Sequence, residues 1–294
     1  MNPEATRLSR SRAMLALSAA PLAALLLAAA PARAQEAVPD FDPAADRLTL
    51  GTGVLTVPSY EGSDNNIIIP EFAIRGQVAG FSFFSRGPAL YADVIRDAGR
   101  DDGIDIGFGP VLGVRLDRAL KIHDPQVEAL GKLDVAVEPG GWVGVTKTGV
   151  ITSDYDFITA RVSAVADVAG AHGSYVVTPT IEYGTPLSTR TFVGLSVLAE
   201  YVGKGYGNYY FDVSAAGSAA SGLSPYAGAG SGFKRAGVNL LVTQSITGDL
   251  TRGLSVIGLL GYYELLGEFK RSPIVAEAGD ASQLIAGVGL AYSF

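Results

Sequence analysis

The chain has 294 residues, 22 Lys and Arg against 29 Asp and Glu, a net charge of −7 and no cysteine. The absence of cysteine excludes disulfide bonds and thiolate metal sites. The acidic balance argues against a nucleic-acid-binding protein, because such proteins carry basic patches.

The first 34 residues have the pattern of a cleaved secretory signal. Three arginines precede an Ala- and Leu-rich stretch, 13–30, that Pro21 interrupts. Ala32 and Ala34 are the small residues that a signal peptidase reads, which predicts cleavage after residue 34. The alternative is an uncleaved membrane anchor, since 18 apolar residues could just span a bilayer. We favour export, with a short periplasmic segment at 35–46.

From residue 47 onwards, apolar and polar side chains alternate with period two. Such alternation is typical of β-strands that have one apolar face. No apolar run after residue 34 approaches the length of a transmembrane helix. The alternating segments are 67–77, 104–116, 132–138, 157–168, 175–183 and 238–246, with fainter ones at 47–57, 79–94, 190–203 and 252–265.

The last strand, 283–294, shows the pattern most clearly. Its bulky side chains fall on one face and its small ones on the other. A strand of this kind is expected to close a barrel against the first strand. We predict that Leu290, Tyr292 and Phe294 form the signal read by the barrel-assembly machinery.

Strand length separates the two all-β folds that the alternation allows. Several segments run ten to thirteen residues, as a tilted membrane-spanning strand requires, whereas strands of soluble domains average about 5–6 residues. We therefore predict that residues 47–294 form a transmembrane, antiparallel, up-and-down β-barrel rather than a soluble β-sandwich. Twelve strands are expected, with ten as the alternative. The barrel would contact the lipid of a Gram-negative outer membrane.

The connections between strands differ in length. Those at 76–80 and 247–252 are short, whereas longer ones are rich in Gly, Ser, Asp and Asn. Outer-membrane barrels place short turns in the periplasm and long loops outside, so we expect the longer connections to share one end. They are 57–66, 95–103, 204–225 and 266–281. Segment 117–130 is unusually long and has helical character, which predicts a surface excursion.

Histidine placement gives little support for catalysis. His123 and His172 are the only histidines, and both lie in connecting segments outside any recognisable motif. A hydrolytic site would need one of them beside a nucleophile or an activated water. We predict that both are solvated turn residues, and we predict no catalytic residue.

Cofactor and metal sites are also poorly supported. The Gly51–Gly53 and Gly107–Gly109 pairs lie inside predicted strands, where no helix follows to hold a phosphate. The acidic segment 93–105 could bind a divalent cation, but its interspersed arginines and irregular spacing favour a solvated loop. No cofactor or metal ligand is predicted.

The most distinctive polar motif follows the first strand directly. It comprises Tyr60, Glu61, Gly62, Ser63 and Asp64. In one interpretation it is a tight loop in which Gly62 adopts a turn conformation and a polar side chain caps backbone donors. In the other it is a recognition site. The sequence leaves both open.

These motifs together resemble the MltA-interacting protein/OmpV family of outer-membrane proteins. The resemblance covers essentially the whole mature chain. The marker segments are YEGSD at 60–64 followed by Pro70, YYFDVS at 209–214, SGLSPY at 221–226, SPIV at 272–275 (Ser272, Pro273, Ile274 and Val275) and the closing AYSF at 291–294.

The resemblance implies a barrel without enzymatic activity or cofactor. It further implies a scaffold that joins a lytic transglycosylase to a penicillin-binding synthase during murein growth, or else a surface adhesin. A small diffusion pore is the other alternative, suggested by charged residues expected to face inwards. These residues are Asp105, Arg115, Asp134, Arg161 and Glu182. Twelve strands leave an interior largely filled by side chains, which disfavours the pore.

Overall fold

The computed structural model describes residues 46–96 and 103–294. The predicted signal peptide 1–34, its cleavage residues Ala32 and Ala34, and all of the segment 35–46 except Asp46 lie outside the described residues. The described part of the chain contains no helix long and apolar enough to cross a membrane.

Twelve antiparallel strands form a closed barrel in which each strand pairs with its neighbours in sequence and the last pairs with the first. This confirms the predicted fold and strand number. The strands are β1 (Arg47–Pro58), β2 (Asn66–Val78), β3 (Phe81–Arg86), β4 (Ala89–Ala92), β5 (Ile104–Arg115), β6 (Ala136–Thr148), β7 (Phe157–Ala166), β8 (Tyr175–Pro186), β9 (Thr191–Val202), β10 (Gly232–Ser245), β11 (Gly253–Leu265) and β12 (Ser282–Ser293).

The alternation along each strand separates a lipid-facing surface from the lumen. On β12, Leu290 and Tyr292 are exposed while Ala291 and Ser293 are buried. Outward aliphatic side chains around the wall stay about half exposed, as Val54 (48%) shows. A closed barrel with such an apolar outer band is stable only in lipid. The outward position of Leu290, Tyr292 and Phe294 fits the closing strand, and their role in assembly stays a prediction.

Two features of the wall depart from the sequence prediction. The faint segment 79–94 is not one strand but a short hairpin, β3 and β4, with its turn at Gly87. Strand β6 begins at Ala136 instead of residue 132. Asp134 therefore lies exposed in a connection, so its predicted inward position is wrong.

The connections at the two ends of the barrel differ in size. One end, which we call the loop end, carries 59–65, 116–135, 167–174, 203–231 and 266–281. The opposite turn end carries 79–80, 149–156, 187–190 and 246–252. The strand order also places the β4–β5 connection at the turn end. Both described ends of the predicted loop 95–103 thus lie at the turn end, which contradicts the expectation that it shares an end with the other long loops; residues 97–102 themselves lie outside the described residues.

Five short helices in the described residues all belong to the loop end. They are α1 (Pro125–Ala129), α2 (Lys204–Phe211), α3 (Ala215–Ser221), α4 (Gly267–Arg271) and α5 (Pro273–Ala276). Helix α1 begins where the Asp124 carboxylate accepts from the backbone amides of Gln126 and Val127, which is a standard N-cap. The predicted helical character of 117–130 is confirmed over this one turn.

Candidate functional site

The loop-end connections pack together into a layer that covers the barrel mouth, and we call this layer the cap. It consists of 59–65, 116–135, 203–231 and 266–281. Two clusters of buried side chains hold it together, and they contain most of the fully buried large residues. Their larger members are Tyr206, Tyr210, Phe211, Leu265 and Phe269 in one cluster, and Tyr60, Ile122, Val127, Leu223 and Ile274 in the other.

The Tyr60–Asp64 motif joins the first loop to the last. The buried hydroxyl of Tyr60 donates to the carbonyl of Ala278 at 2.7 Å. Ser63 forms an antiparallel bridge with Gly279, and its carbonyl accepts from the side-chain amide of Gln283 at 3.1 Å. Asp64 is exposed. The motif thus has the geometry of the tight loop in the first interpretation, with Gly62 at a positive φ, and a recognition role for it stays a prediction.

The second motif, Ser272–Val275, packs against the first in the same layer, where Tyr60 and Ile274 share one buried cluster. Ser272 is fully buried, and its hydroxyl donates to the carbonyl of Phe211 at 2.6 Å. Pro273 begins α5, where its missing amide costs nothing. Ile274 and Val275 are buried in the two clusters. Both motifs therefore contribute buried contacts to the cap.

We expect Gly62→Ala to destabilise the cap. Gly62 has φ +97°, and an added Cβ would lie 2.5 Å from Cγ2 of Val275. Left-handed backbone strain of about 1–2 kcal/mol then adds to an overpacking cost of about 1–3 kcal/mol. The measurement is the free energy of unfolding in denaturant.

Gly131→Ala is the matched control for that substitution. Gly131 also has a positive φ, +85°, but nothing lies within 4 Å of an added Cβ. Its cost should be limited to the backbone strain of about 1–2 kcal/mol. Equal losses for the two variants would contradict the close packing of Gly62 against Val275.

A buried lysine lies beneath the cap. Lys234 is the extra residue of a bulge in β10, where the register with β9 shifts between Phe233 and Arg235. Its fully buried ammonium lies 2.7 Å from a carboxylate oxygen of Glu61 and 2.7 Å from one of Glu200. The bulge reorients the side chain of Lys234 so that it lies under the cap. In a regular strand, the alternation of side chains would direct it away from this position.

Tyr206 completes the group around Lys234. The ammonium of Lys234 donates to the Tyr206 hydroxyl at 2.9 Å, and that hydroxyl donates to Glu61 at 2.9 Å. Helix α2, which carries Tyr206, is thereby tied to both the first loop and the barrel wall. We call Glu61, Glu200, Tyr206 and Lys234 the latch.

A second ion pair lies next to the latch. Arg115 on β5 makes two hydrogen bonds to Glu138 on β6, at 2.9 and 3.1 Å. The His172 ring nitrogen lies 2.9 Å from the same carboxylate, and His172 is buried. The prediction of a solvated His172 is wrong, because its loop folds inward over the barrel. His123 is exposed, as predicted.

The pKa values of the cap residues follow from this burial and pairing. Burial opposes ionisation of Glu61, but the charges of Lys234 and Arg235 outweigh it and hold the pKa of Glu61 below its usual range. Burial, reinforced by the neighbouring Glu61 carboxylate, raises the pKa of Asp117. Burial also raises the pKa of Tyr206 well above its usual value, so its phenol stays a donor.

We expect the cap to lose stability in acid through Glu61. A carboxylate whose pKa is lower in the folded state stabilises that state above its unfolded pKa, about 4.3, and loses the effect as pH falls through the lower folded value. The denaturation midpoint, followed from pH 7 downwards, should therefore fall more steeply for the natural protein than for Glu61→Gln. Parallel pH profiles for the two proteins would contradict the pairing.

Below the cap, contacts between side chains also cross the lumen of the barrel. Arg86 on β3 pairs with Glu182 on β8, and these strands lie five positions apart in a ring of twelve. The guanidinium of Arg161 on β7 lies over the rings of Phe84 and Tyr91, 5.9 and 5.7 Å from their centroids. Charged and aromatic side chains thus bridge opposite walls.

The described residues show neither a metal-binding cluster nor a histidine hydrogen-bonded to a nucleophile. Among residues 46–96 and 103–294, no group of three or more His, Asp or Glu side chains is placed to hold a metal ion. The Glu138–His172 pair is held by Arg115, and no nucleophile is hydrogen-bonded to the ring. The geometry serves to close the mouth of the barrel.

The family comparison agrees with the motifs that build the cap. The profile of the family described as MltA-interacting protein MipA matches residues 50–294. The chain belongs to this family. The match includes every strand from β2 to β12 and all of the cap, and it supports the outer membrane as the location of the barrel.

Three solved structures are similar to this chain at low sequence identity and with TM-scores below 0.5. The CymD monoaromatic hydrocarbon channel is 11% identical, with a TM-score of 0.37, over 86% of this chain and 91% of that one. An outer membrane channel from Pseudomonas putida F1 is 10% identical, with a TM-score of 0.41, over 89% and 100%. The Pseudomonas putida toluene transporter TodX is 10% identical, with a TM-score of 0.37, over 86% and 90%. No curated protein matches the sequence.

Proposed function

We propose that this outer-membrane barrel is a non-enzymatic scaffold for enzymes of murein growth, namely a lytic transglycosylase and a penicillin-binding synthase. The observation that carries the proposal is closure of the barrel, by the cap and by the bridges beneath it. A closed barrel acts through its surfaces. The family description, which names interaction with MltA, supports the choice of partner.

The turn end supplies a surface that such enzymes could reach, because short turns face the periplasm in outer-membrane barrels. The turn 149–156 is built around Asp156, whose buried carboxylate accepts from the amides of Val150, Ile151 and Thr152. Backbone hydrogen bonding holds the pKa of Asp156 low, even though burial opposes its ionisation. A turn fixed in this way presents its outer side chains in one conformation.

Three turns join into one platform at this end. Thr152 hydrogen-bonds to Thr185 at 2.8 Å, next to the turn 187–190. The amide of Leu250 in turn 246–252 donates to the carbonyl of Thr189 at 2.9 Å. Ile151 and Leu187 are 72% and 57% exposed on these turns. Exposed aliphatic side chains on a rigid, hydrogen-bonded base favour protein contact.

Crosslinking in intact cells tests the proposal. A photoreactive residue placed at Ile151 or Leu187 is expected to capture a lytic transglycosylase or a penicillin-binding synthase. Position Lys121, which is exposed in the cap, is the control and should capture neither. Ile151→Asp should reduce capture at position 187. Absence of both enzymes from the turn-end adducts would overturn the proposal.

A surface adhesin is the second candidate, and one observation favours it. The cap carries an open cleft of about 600 Å³ between loops 116–135 and 203–231. Tyr209, Tyr226 and Arg118 line it, a combination suited to recognition. Crosslinks from Lys121 to a component outside the cell would favour this role.

A further inference from the structure

The barrel wall has a notch on the loop-end side of β2. Strand β3 pairs with β2 only over Arg75–Val78, because the β3–β4 hairpin turns back at Gly87. Among the described residues, the upper part of β2, 66–73, has no strand beside it on this side. The next full-length strand is β5. At the loop end, the backbone amide of Glu61 donates to the carboxylate of Asp117 at 2.8 Å, and this hydrogen bond forms the upper boundary of the notch.

The exposure of the outward side chains and the position of Pro70 both indicate that the edge of β2 over 66–73 is free. Ile68 and Phe72 are 73% and 72% exposed, whereas outward residues flanked on both sides, such as Val54, are 48% exposed. The amide of Ile74 points toward β3, where it donates to Ser85. Alternate residues share that direction, so the nitrogen of Pro70 points into the notch. Proline is tolerated in a strand when its nitrogen faces an open edge.

An apolar stripe runs along the inner wall from the notch. Its members pair directly in register: Ile69 with Leu55, Leu55 with Gly287, Gly287 with Leu259, and Leu259 with Leu241. These leucine and isoleucine side chains face the lumen and remain only half-buried. The stripe crosses five strands, so it is about 19 Å long at the usual strand spacing. The facing wall carries polar and charged side chains such as Thr146, Thr159 and Glu182.

We propose that this stripe binds the acyl chain of a membrane lipid, which enters sideways through the notch. At the notch, the lipid-facing surface is continuous with the stripe. The outer edges of the notch carry exposed apolar side chains, namely those of Ile68, Phe72, Leu112 and Leu116. One leaflet of the bilayer core is about 15 Å thick, which is comparable to the stripe. Half-buried aliphatic side chains inside the lumen are left unfavourably hydrated until such a chain covers them.

An extended peptide fits this notch less well than a lipid. Pro70 supplies no amide at the middle of the free edge, so an added strand would lose a ladder hydrogen bond there. The aqueous route is blocked by the cap at one end. Lateral entry from the leaflet on the loop side brings an apolar ligand to the stripe without passing through the cap.

Single-cysteine labelling tests the proposal, since the natural chain has no cysteine. The folded protein is placed in phosphatidylcholine vesicles with a fatty acid that carries a maleimide at its methyl end. Leu55→Cys on the stripe should react at a rate close to that of Val54→Cys on the lipid face. Thr146→Cys, on the polar inner wall, should react more slowly by about tenfold, because the chain avoids polar surface.

Blocking the path supplies the decisive comparison. Adding Ile69→Arg to Leu55→Cys should slow the acyl reagent about tenfold, because an unpaired charge opposes an apolar ligand. Ile69→Arg should leave the labelling of Val54→Cys unchanged. If the Ile69→Arg protein does not fold, Leu259→Arg is used in its place. Modification of Leu55→Cys only by a charged, water-soluble maleimide, or by neither reagent, would overturn the proposal.

Discussion

Replacing Lys234 with Met should destabilise the protein by about 3–5 kcal/mol, the usual cost of removing one partner from a buried ion pair. The change removes one of the two cations that pair with the carboxylates of Glu61 and Glu200, each of which has an oxygen 2.7 Å from the lysine nitrogen. Arg235 remains beside both carboxylates, so one buried negative charge is left uncompensated. It also removes the donor to Tyr206. Equilibrium unfolding in denaturant measures the loss, and faster proteolysis of 203–231 should accompany it.

Lys270→Met is the matched control for this substitution. Lys270 also forms an ion pair, 2.8 Å from Glu264, but its side chain is 55% exposed. Exposed pairs contribute about 0–1 kcal/mol. Equal, small losses in the free energy of unfolding for the two lysine variants would show that Lys234 does not hold the cap in place, and would contradict the latch.

Replacing Tyr206 with Ala should have a comparable effect, about 3–5 kcal/mol, typical of a large aromatic side chain removed from a core. Tyr206 is fully buried, and its ring lies 4.6 Å from that of Tyr210 and 4.6 Å from the ammonium of Lys234. The substitution removes this packing together with the hydroxyl that joins Glu61 to Lys234. Denaturant unfolding again measures the loss.

Tyr209→Ala is the matched control on the same helix. It changes helix propensity as Tyr206→Ala does, but it does not remove a fully buried side chain. Tyr209 is half-buried beside the cleft, and its hydroxyl accepts from the amide of Asp134 at 2.9 Å. Its loss should cost about 1–3 kcal/mol, because it removes one hydrogen bond and the partly buried packing of the ring against Tyr210. Tyr206→Phe should fall between the two alanine variants. A larger loss from Tyr209→Ala than from Tyr206→Ala would contradict the packing of α2.

The barrel could be predicted from sequence because its pattern is local. Each long strand shows its own alternation, and the apolar side must face lipid wherever the strand lies. The β3–β4 hairpin was harder to predict, since six and four residues show too few periods to define a strand end. The notch beside β2 depends on that hairpin, and Pro70 was the one local indication of it.

The latch could not be predicted, because its members come from distant parts of the chain. Glu61, Glu200 and Lys234 meet only when the barrel closes. Two consecutive basic residues, Lys234 and Arg235, do interrupt the alternation, and a bulge is the physical reason. The sequence puts His172 in a short loop, which predicts an exposed side chain, but tertiary packing buries it against Glu138.

Planar-bilayer recording of the purified barrel tests most directly whether the lumen is closed. The cap covers the loop-end mouth and the Arg86–Glu182 pair crosses the lumen beneath it, so the natural protein should show no steady ionic current. Removal of 203–231, which takes away α2 and α3, should produce a measurable current. A stable, ohmic conductance from the intact protein would contradict the closed barrel and, with it, the proposed scaffold.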